Sequence, residues 1–243
     1  MAHVTGSVAP RAILALDVES VEAALSVLRK TNGLCDFVKV GSELFTAAGP
    51  DVVRALRDRG CDVFLDLKLH DIPNTVRAAS RSAARLGVRL LTVHAGGGAP
   101  MIAAAADGAG PDCGVLGVTV LTSLDAEALG EATGRPGVVV RDEVLRLAAL
   151  ARDGGARGVV CSGAEAGVVR ERYGGALERL VPGIRLADGA THDQARVVTP
   201  AAAAAAGATY VVVGRAVTAA PDPAAAMARV LDELRRPIPA PSR

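Results

Sequence analysis

The sequence predicts a closed (β/α)8 TIM barrel, and three observations predict it. Half of its 243 residues are hydrophobic, enough to bury the core of one large α/β domain. Eight short apolar runs recur along the chain, separated by amphipathic segments rich in Ala and Leu, and such alternation implies parallel strands joined by crossover helices. No glycine fingerprint follows the first run, which disfavours an open doubly wound sheet with the same alternation. A barrel of about 250 residues is the simplest solution. One domain over residues 1–243 is expected, with residues 1–10 and 237–243 fraying at its ends.

The expected strands are residues 12–16, 37–40, 63–67, 90–93, 115–120, 158–161, 184–186 and 210–213. Helical patterns cover residues 20–30, 50–59, 74–86, 99–107, 141–152, 164–172, 200–206 and 222–235. The block 201–206 is all Ala, a strong helix former, and reads as a plain packing helix. Residues 187–199, rich in Asp, Gly and His and without apolar periodicity, read as a lid.

Composition excludes several classes of function. The formal charge is +1, with no Trp, two Tyr and three Phe, so neither the basic groove nor the stacking aromatics of a nucleic-acid surface is present. Cys35, Cys61, Cys113 and Cys161 are widely spaced, with neither zinc-ligand nor disulfide spacing. They read as small core residues in a reducing compartment. No apolar run reaches membrane-spanning length and no signal peptide is visible, so a cytoplasmic location without membrane contact is expected.

Barrel chemistry sits at the C-terminal ends of the strands. Taken in order, those ends offer Asp17, Lys39, Asp66 with Lys68, His94, residues 119–123, Arg185, and Gly214 with Arg215. The sharpest stretch is residues 63–75, VFLDLKLHDIPNT. On a strand, Asp66 and Lys68 project to one face while Leu65, Leu67 and Leu69 pack on the other. Pro73 suits the first turn of a helix, so the strand should turn just past Asp71. A Lys flanked by two carboxylates, with Lys39 as a second cation from the next strand, forms an alternating charge chain. Such a chain keeps Lys68 protonated and fixed in space, a positioned proton donor. The competing reading is a barrel-mouth ion-pair network, with Asp71 only capping the helix at Pro73.

Residues 181–185 (VPGIR) and 211–215 (VVVGR) end the last two strands. Barrels often hold a phosphate there, on backbone N–H groups and a forked Arg, and Gly214 would let the backbone approach the anion. An Arg lying over a barrel rim is the plainer alternative. His94 beside its Gly turn reads as structural. His70 and His192 earn no catalytic role, and no metal-site pattern is present.

These stretches resemble the orotidine 5′-monophosphate decarboxylases. The resemblance covers LALD at 14–17, VKVG at 38–41, LDLKLHDIPNT at 65–75, VTVLTS at 118–123, PGIR at 182–185, DQARVVTP at 193–200 and VVVGRAVTAAPDP at 211–223. It implies a cofactor-free, metal-free barrel in the pyrimidine pathway, working as a homodimer with shared active sites on orotidine 5′-monophosphate. By the same resemblance Lys68 protonates C6 as carbon dioxide leaves, Asp66 sits beside the departing carboxylate, and Lys39 joins the charge chain and the ribose. Asp71 serves the partner's site, with Ile72 and Thr75 as substrate contacts beside it. Asp17 binds a ribose hydroxyl and Thr122 the pyrimidine. Arg185, Gln194, Gly214 and Arg215 form the phosphate set, with Gln194 on the lid.

Two alternatives stand beside this reading. Magnesium-dependent sugar-phosphate enzymes of the same barrel superfamily, 3-keto-L-gulonate 6-phosphate decarboxylase and hexulose-6-phosphate synthase, share the Asp-x-Lys-x-x-Asp pattern. Ile72-Pro73-Asn74-Thr75 and Gln194 favour the nucleotide enzyme. A non-catalytic phosphate-binding barrel would be expected to have lost a member of the charge chain, yet all four are present.

Overall fold

In the computed structural model, which describes residues 9–186 and 198–236, eight parallel strands pair in sequence order and close into a barrel. The elements run β1 (Arg11–Ala15), α1 (Val21–Lys30), β2 (Phe37–Gly41), α2 (Ser42–Ala48), α3 (Pro50–Arg57), β3 (Asp62–Leu69), α4 (Pro73–Arg85), β4 (Leu90–His94), α5 (Gly98–Ala109) and β5 (Gly114–Val118). They continue with α6 (Ala126–Thr133), α7 (Val140–Asp153), β6 (Gly158–Val160), α8 (Gly163–Tyr173), β7 (Glu178–Val181), α9 (Pro200–Ala205), β8 (Tyr210–Val213), α10 (Arg215–Thr218) and α11 (Pro223–Arg235). Pairing of β1 with β8, from Arg11 opposite Tyr210 to Leu14 opposite Val213, closes the ring. Among the described residues, no helix is long and apolar enough to cross a membrane.

The two-residue period of a strand divides the core in two. Ile13, Ala15, Phe37, Phe64, Leu90, Leu116, Leu180 and Val212 point inward and fill the barrel, with Val160 and Tyr210 against them. Their neighbours Leu14, Val38, Val63, Leu65, Leu91, Val115, Val159, Val181 and Val211 belong to the larger cluster that includes the helices. Each fully buried large side chain contributes about 1.5–3 kcal/mol relative to exposure. Arg11 lies 4.5 Å from the centre of the Phe37 ring and pairs with Asp36 and Asp62 at 3.0 and 2.7 Å. The four cysteines are free and buried, and burial pushes the Cys113 thiol up to about 11.

Local signals set the helix starts. Ser20, Asp125, Thr199 and Asp222 each accept a backbone N–H in the first turn of α1, α6, α9 and α11. Pro73 opens α4. α4 packs closely on α5 because Gly108 has no side chain: a Cβ there would stand 2.2 Å from the Arg77 carbonyl oxygen.

Strand seven differs from expectation. It is residues Glu178–Val181, in register with β6 at Gly158 opposite Glu178 and with β8 at Leu180 opposite Tyr210. Residues 184–186 form no strand; Ile184 makes only an isolated bridge to Val198. Pro182, which has no N–H for the ladder, and Gly183, at φ +76°, end the strand first. Ile184 and Leu186 are apolar because they are buried beneath the turn. Helices α2, α6 and α10 had no counterpart in the sequence reading. Gln194, most of the expected lid and the expected frayed ends at 1–8 and 237–243 lie outside the described residues.

One buried carboxylate ties α7 to the turn before it. Glu143 takes Arg146 Nη2 at 2.7 Å and Arg135 Nη2 at 2.8 Å. The Arg146 hydrogen bond above all, with Arg135 adding, holds its carboxyl at about 2 although burial pushes the other way. A depressed acid stabilises the fold fully above its unfolded value and less as pH falls through its folded one. Glu143→Gln is therefore expected to lower the unfolding free energy by about 1–3 kcal/mol near neutral pH. In urea titrations that deficit should shrink between pH 4.5 and 2; a pH-independent deficit would count against the ion triad.

Candidate active site

One step of two residues beyond the inward core lies a second, polar layer. Above Ala15, Phe37, Phe64, Leu90 and Val212 come Asp17, Lys39, Asp66, Thr92 and Gly214. The strands' own periodicity thus aims these residues at the C-terminal mouth. A cavity of about 280 Å³ opens there, lined by Asp17, Lys39, Asp66, Lys68, Thr122, Arg185, Gly214 and Arg215 among others. Eight of the twelve expected site residues thus surround one space. Among the described residues it carries four cationic side chains against two carboxylates, a surplus suited to an anionic ligand.

The charges are paired. Lys39 Nζ stands 2.7 Å from Asp17 Oδ1, and Lys68 Nζ 2.9 Å from Asp66 Oδ2. Gly41 makes room for the first pair: a Cβ there would lie 3.0 Å from Lys39 Nζ and 3.4 Å from Asp17 Oδ1. Lys39 is thus joined to Asp17 in the protomer, where the sequence reading had it join the chain around Lys68.

Lys68 sits on a distortion of β3. Leu65 pairs with Leu91 and Leu69 with Val93, so β3 advances four residues while β4 advances two. Within that bulge Lys68 has φ +51°, left-handed backbone that a non-glycine residue rarely adopts. Asp66 and Lys68 share a face as simple alternation expected, but a bulge rather than a regular strand puts the ammonium on the carboxylate.

At the other side of the ring, four strands round from β3, Arg185 follows β7. It is buried, and its Nη1 donates to the Ile184 carbonyl at 2.8 Å. Arg215 opens α10 just after Gly214 and is exposed. Among the described residues, a Cβ on Gly214 would meet only the Ala15 Cβ at 3.7 Å, so their packing does not require glycine there.

Asp71, Ile72 and Thr75 do not line the cavity. All residues from Asp71 to Thr75 are exposed, Ile72 at 65%. Asp71 Oδ1 accepts the Ile72 N–H at 2.6 Å. The N-cap of α4 is Ile72 and makes no side-chain cap, so Asp71 is not the helix cap that the plainer reading supposed.

Strand four contributes a residue the sequence reading passed over. His94 does not line the cavity; its ring lies 5.4 Å from that of His70. Burial, with His70 and Lys68 adding, pushes its imidazole below the usual value. Thr92 is wholly buried and its hydroxyl donates to Asp66 Oδ1 at 2.9 Å. The signal was present: Thr92 is the only polar residue in LLTV and stands two residues beyond the inward Leu90.

Comparisons with known proteins show the family and the fold. Residues 10–230 match the family model described as Orotidine 5′-phosphate decarboxylase / HUMPS family. A protein of Halorhodospira halophila named orotidine 5′-phosphate decarboxylase is 49% identical over 230 residues, covering 93% of this chain and 96% of that protein. One of the same name from an Anaeromyxobacter species is 54% identical over 216 residues, covering 89% and 94%. The crystal structure of orotidine 5′-phosphate decarboxylase from Lactobacillus acidophilus has a TM-score of 0.81 at 38% identity, covering 94% of this chain and 100% of that one.

Proposed function

The chain belongs to the orotidine 5′-phosphate decarboxylase / HUMPS family, and from that membership and the chemistry of the cavity we infer how its residues divide the reaction. The chain is a carboxy-lyase that removes carbon dioxide from orotidine 5′-monophosphate in pyrimidine biosynthesis. The observation that carries the division of labour is the Lys68–Asp66 pair, held at 2.9 Å on the cavity wall.

The bond from C6 to the carboxylate breaks with its electron pair left on C6, where the ring offers no conventional electron sink. A fixed ammonium aimed at that carbon is worth most in the transition state, when the charge has developed. Lys68 gives C6 a proton as carbon dioxide departs, and the neutral amine regains one from water. Asp66 holds the ammonium and sits beside the departing carboxylate. Lys39 and Asp17, paired at 2.7 Å, take the ribose hydroxyls, and Thr122 takes the pyrimidine. Arg185, Gly214 and Arg215 take the phosphate across the ring from Lys68, with Gln194 as a further phosphate contact. Binding energy from the distant phosphate can then orient the pyrimidine against Lys68. The steps need no metal or organic cofactor.

The exposed stretch from Asp71 to Thr75 supports a homodimer with shared sites. An Ile 65% exposed beside an exposed Asp suits coverage by a second subunit, where Asp71, Ile72 and Thr75 reach the partner's substrate. Four free, buried cysteines fit the cytoplasm.

Three outcomes test this reading. Lys68→Ala should lower turnover of orotidine 5′-monophosphate by about 1,000-fold or more in an absorbance assay while uridine 5′-monophosphate still binds; near-normal turnover would sink the proton-donor role. Arg215→Ala should raise KM about 10- to 100-fold for the nucleotide and scarcely change the reaction of orotidine, which has no phosphate. Equal losses on both would remove Arg215 from the phosphate site. Mixed Lys68→Ala and Asp71→Ala subunits should regain activity in heterodimers, and none despite proven subunit exchange would count against a shared site.

A further inference from the structure

The bulge in β3 creates a local problem that Thr92 solves. Where β3 advances four residues against two in β4, an amide drops out of the ladder and must find another partner. The amide of Lys68 donates to Thr92 Oγ1 at 2.9 Å. The same hydroxyl lies 2.9 Å from Asp66 Oδ1. A backbone N–H can only donate and a carboxylate can only accept, so the direction of the relay is fixed: Lys68 N–H to Thr92 oxygen, Thr92 O–H to Asp66. Asp66 Oδ2 in turn accepts from Lys68 Nζ. Backbone and side chain of Lys68 are thereby tied to one hydroxyl–carboxylate unit.

We propose that Thr92 is a positioning residue for the decarboxylation, its hydroxyl holding both the left-handed backbone of Lys68 and the carboxylate that aims the Lys68 ammonium. The proposal rests on Lys68 being the proton donor. Thr92 suits the task for three reasons. Its side chain is wholly buried, so water does not compete for the hydroxyl. Its branched Cβ restricts χ1. Its place two residues above the inward Leu90 puts it between the bulge and the mouth. Valine keeps the shape but leaves the Lys68 N–H and one Asp66 oxygen without a partner. The ammonium would then sit over a wider range of positions, and small misplacements of a reacting group lower the chemical step far more than they lower binding.

The test compares Thr92→Val, Thr92→Ser and Lys68→Ala in the full-length protein with orotidine 5′-monophosphate. Thr92→Val should lower kcat about 10- to 100-fold, with KM and inhibition by uridine 5′-monophosphate changed by less than about threefold. Thr92→Ser, which keeps the hydroxyl, should recover most of that kcat. Wild-type kcat in the valine variant, or a serine variant as slow as the valine one, overturns the proposal. If the valine variant fails to fold, Thr92→Cys replaces it: its weak thiol donor should lower kcat about fivefold or more at unchanged KM, and undiminished kcat overturns the proposal equally. Lys68→Ala separates the two levels. If it is inactive while Thr92→Val is normal, only the role of Thr92 falls; if it retains turnover, the proton-donor reading fails and the positioning role with it.

Discussion

The ion pair between Lys68 and Asp66, 2.9 Å long and set on a bulge of β3, is the interaction on which the rest of the site depends. On a regular strand, two side chains of one face extend in parallel; the bulge re-aims the second toward the first. Left-handed backbone at Lys68, φ +51°, costs free energy, which the Thr92 hydrogen bonds and the packing of β3 against β4 offset. Backbone strain is a recurrent feature of active sites, and here it accompanies the turning of an ammonium onto a carboxylate.

Barrel closure does the remaining placement. A closed ring of strands whose inward positions are filled by Ala15, Phe37, Phe64, Leu90 and Val212 must present the next inward residue of each strand nearer its mouth. Those residues are Asp17, Lys39, Asp66, Thr92 and Gly214. The hydrophobic layer is thus a floor for the polar one. Because β7 and β8 lie across the ring from β3, an anion held by Arg185 and Arg215 puts a ligand spanning the cavity against Lys68.

Much of this was legible in the sequence, and the exceptions have physical causes. The eight-fold alternation and seven of the strands followed from apolar periodicity, and the charged residues that line the cavity stand at strand ends, where the sequence places them. Strand seven escaped because Glu178 and Arg179 begin it, while the more apolar Ile184 and Leu186 are buried in a turn. The bulge escaped because periodicity assumes one residue of partner per residue of strand; nothing in DLKL announces that β4 supplies fewer. The pairing of Lys39 with Asp17 was not legible because it depends on the space left by Gly41, a contact between strands. Asp71 is close to Lys68 in sequence, but the turn into α4 carries it outside the protomer's own cavity.

The account rests on Lys68 standing at the carbon that loses carbon dioxide, and a crystal structure with uridine 5′-monophosphate bound tests that most directly. It predicts Lys68 Nζ within about 3–3.5 Å of C6, with Asp66 beside the same carbon and the phosphate on Arg215. A pyrimidine with C6 turned away from Lys68, or a phosphate bound elsewhere in the cavity, would contradict it.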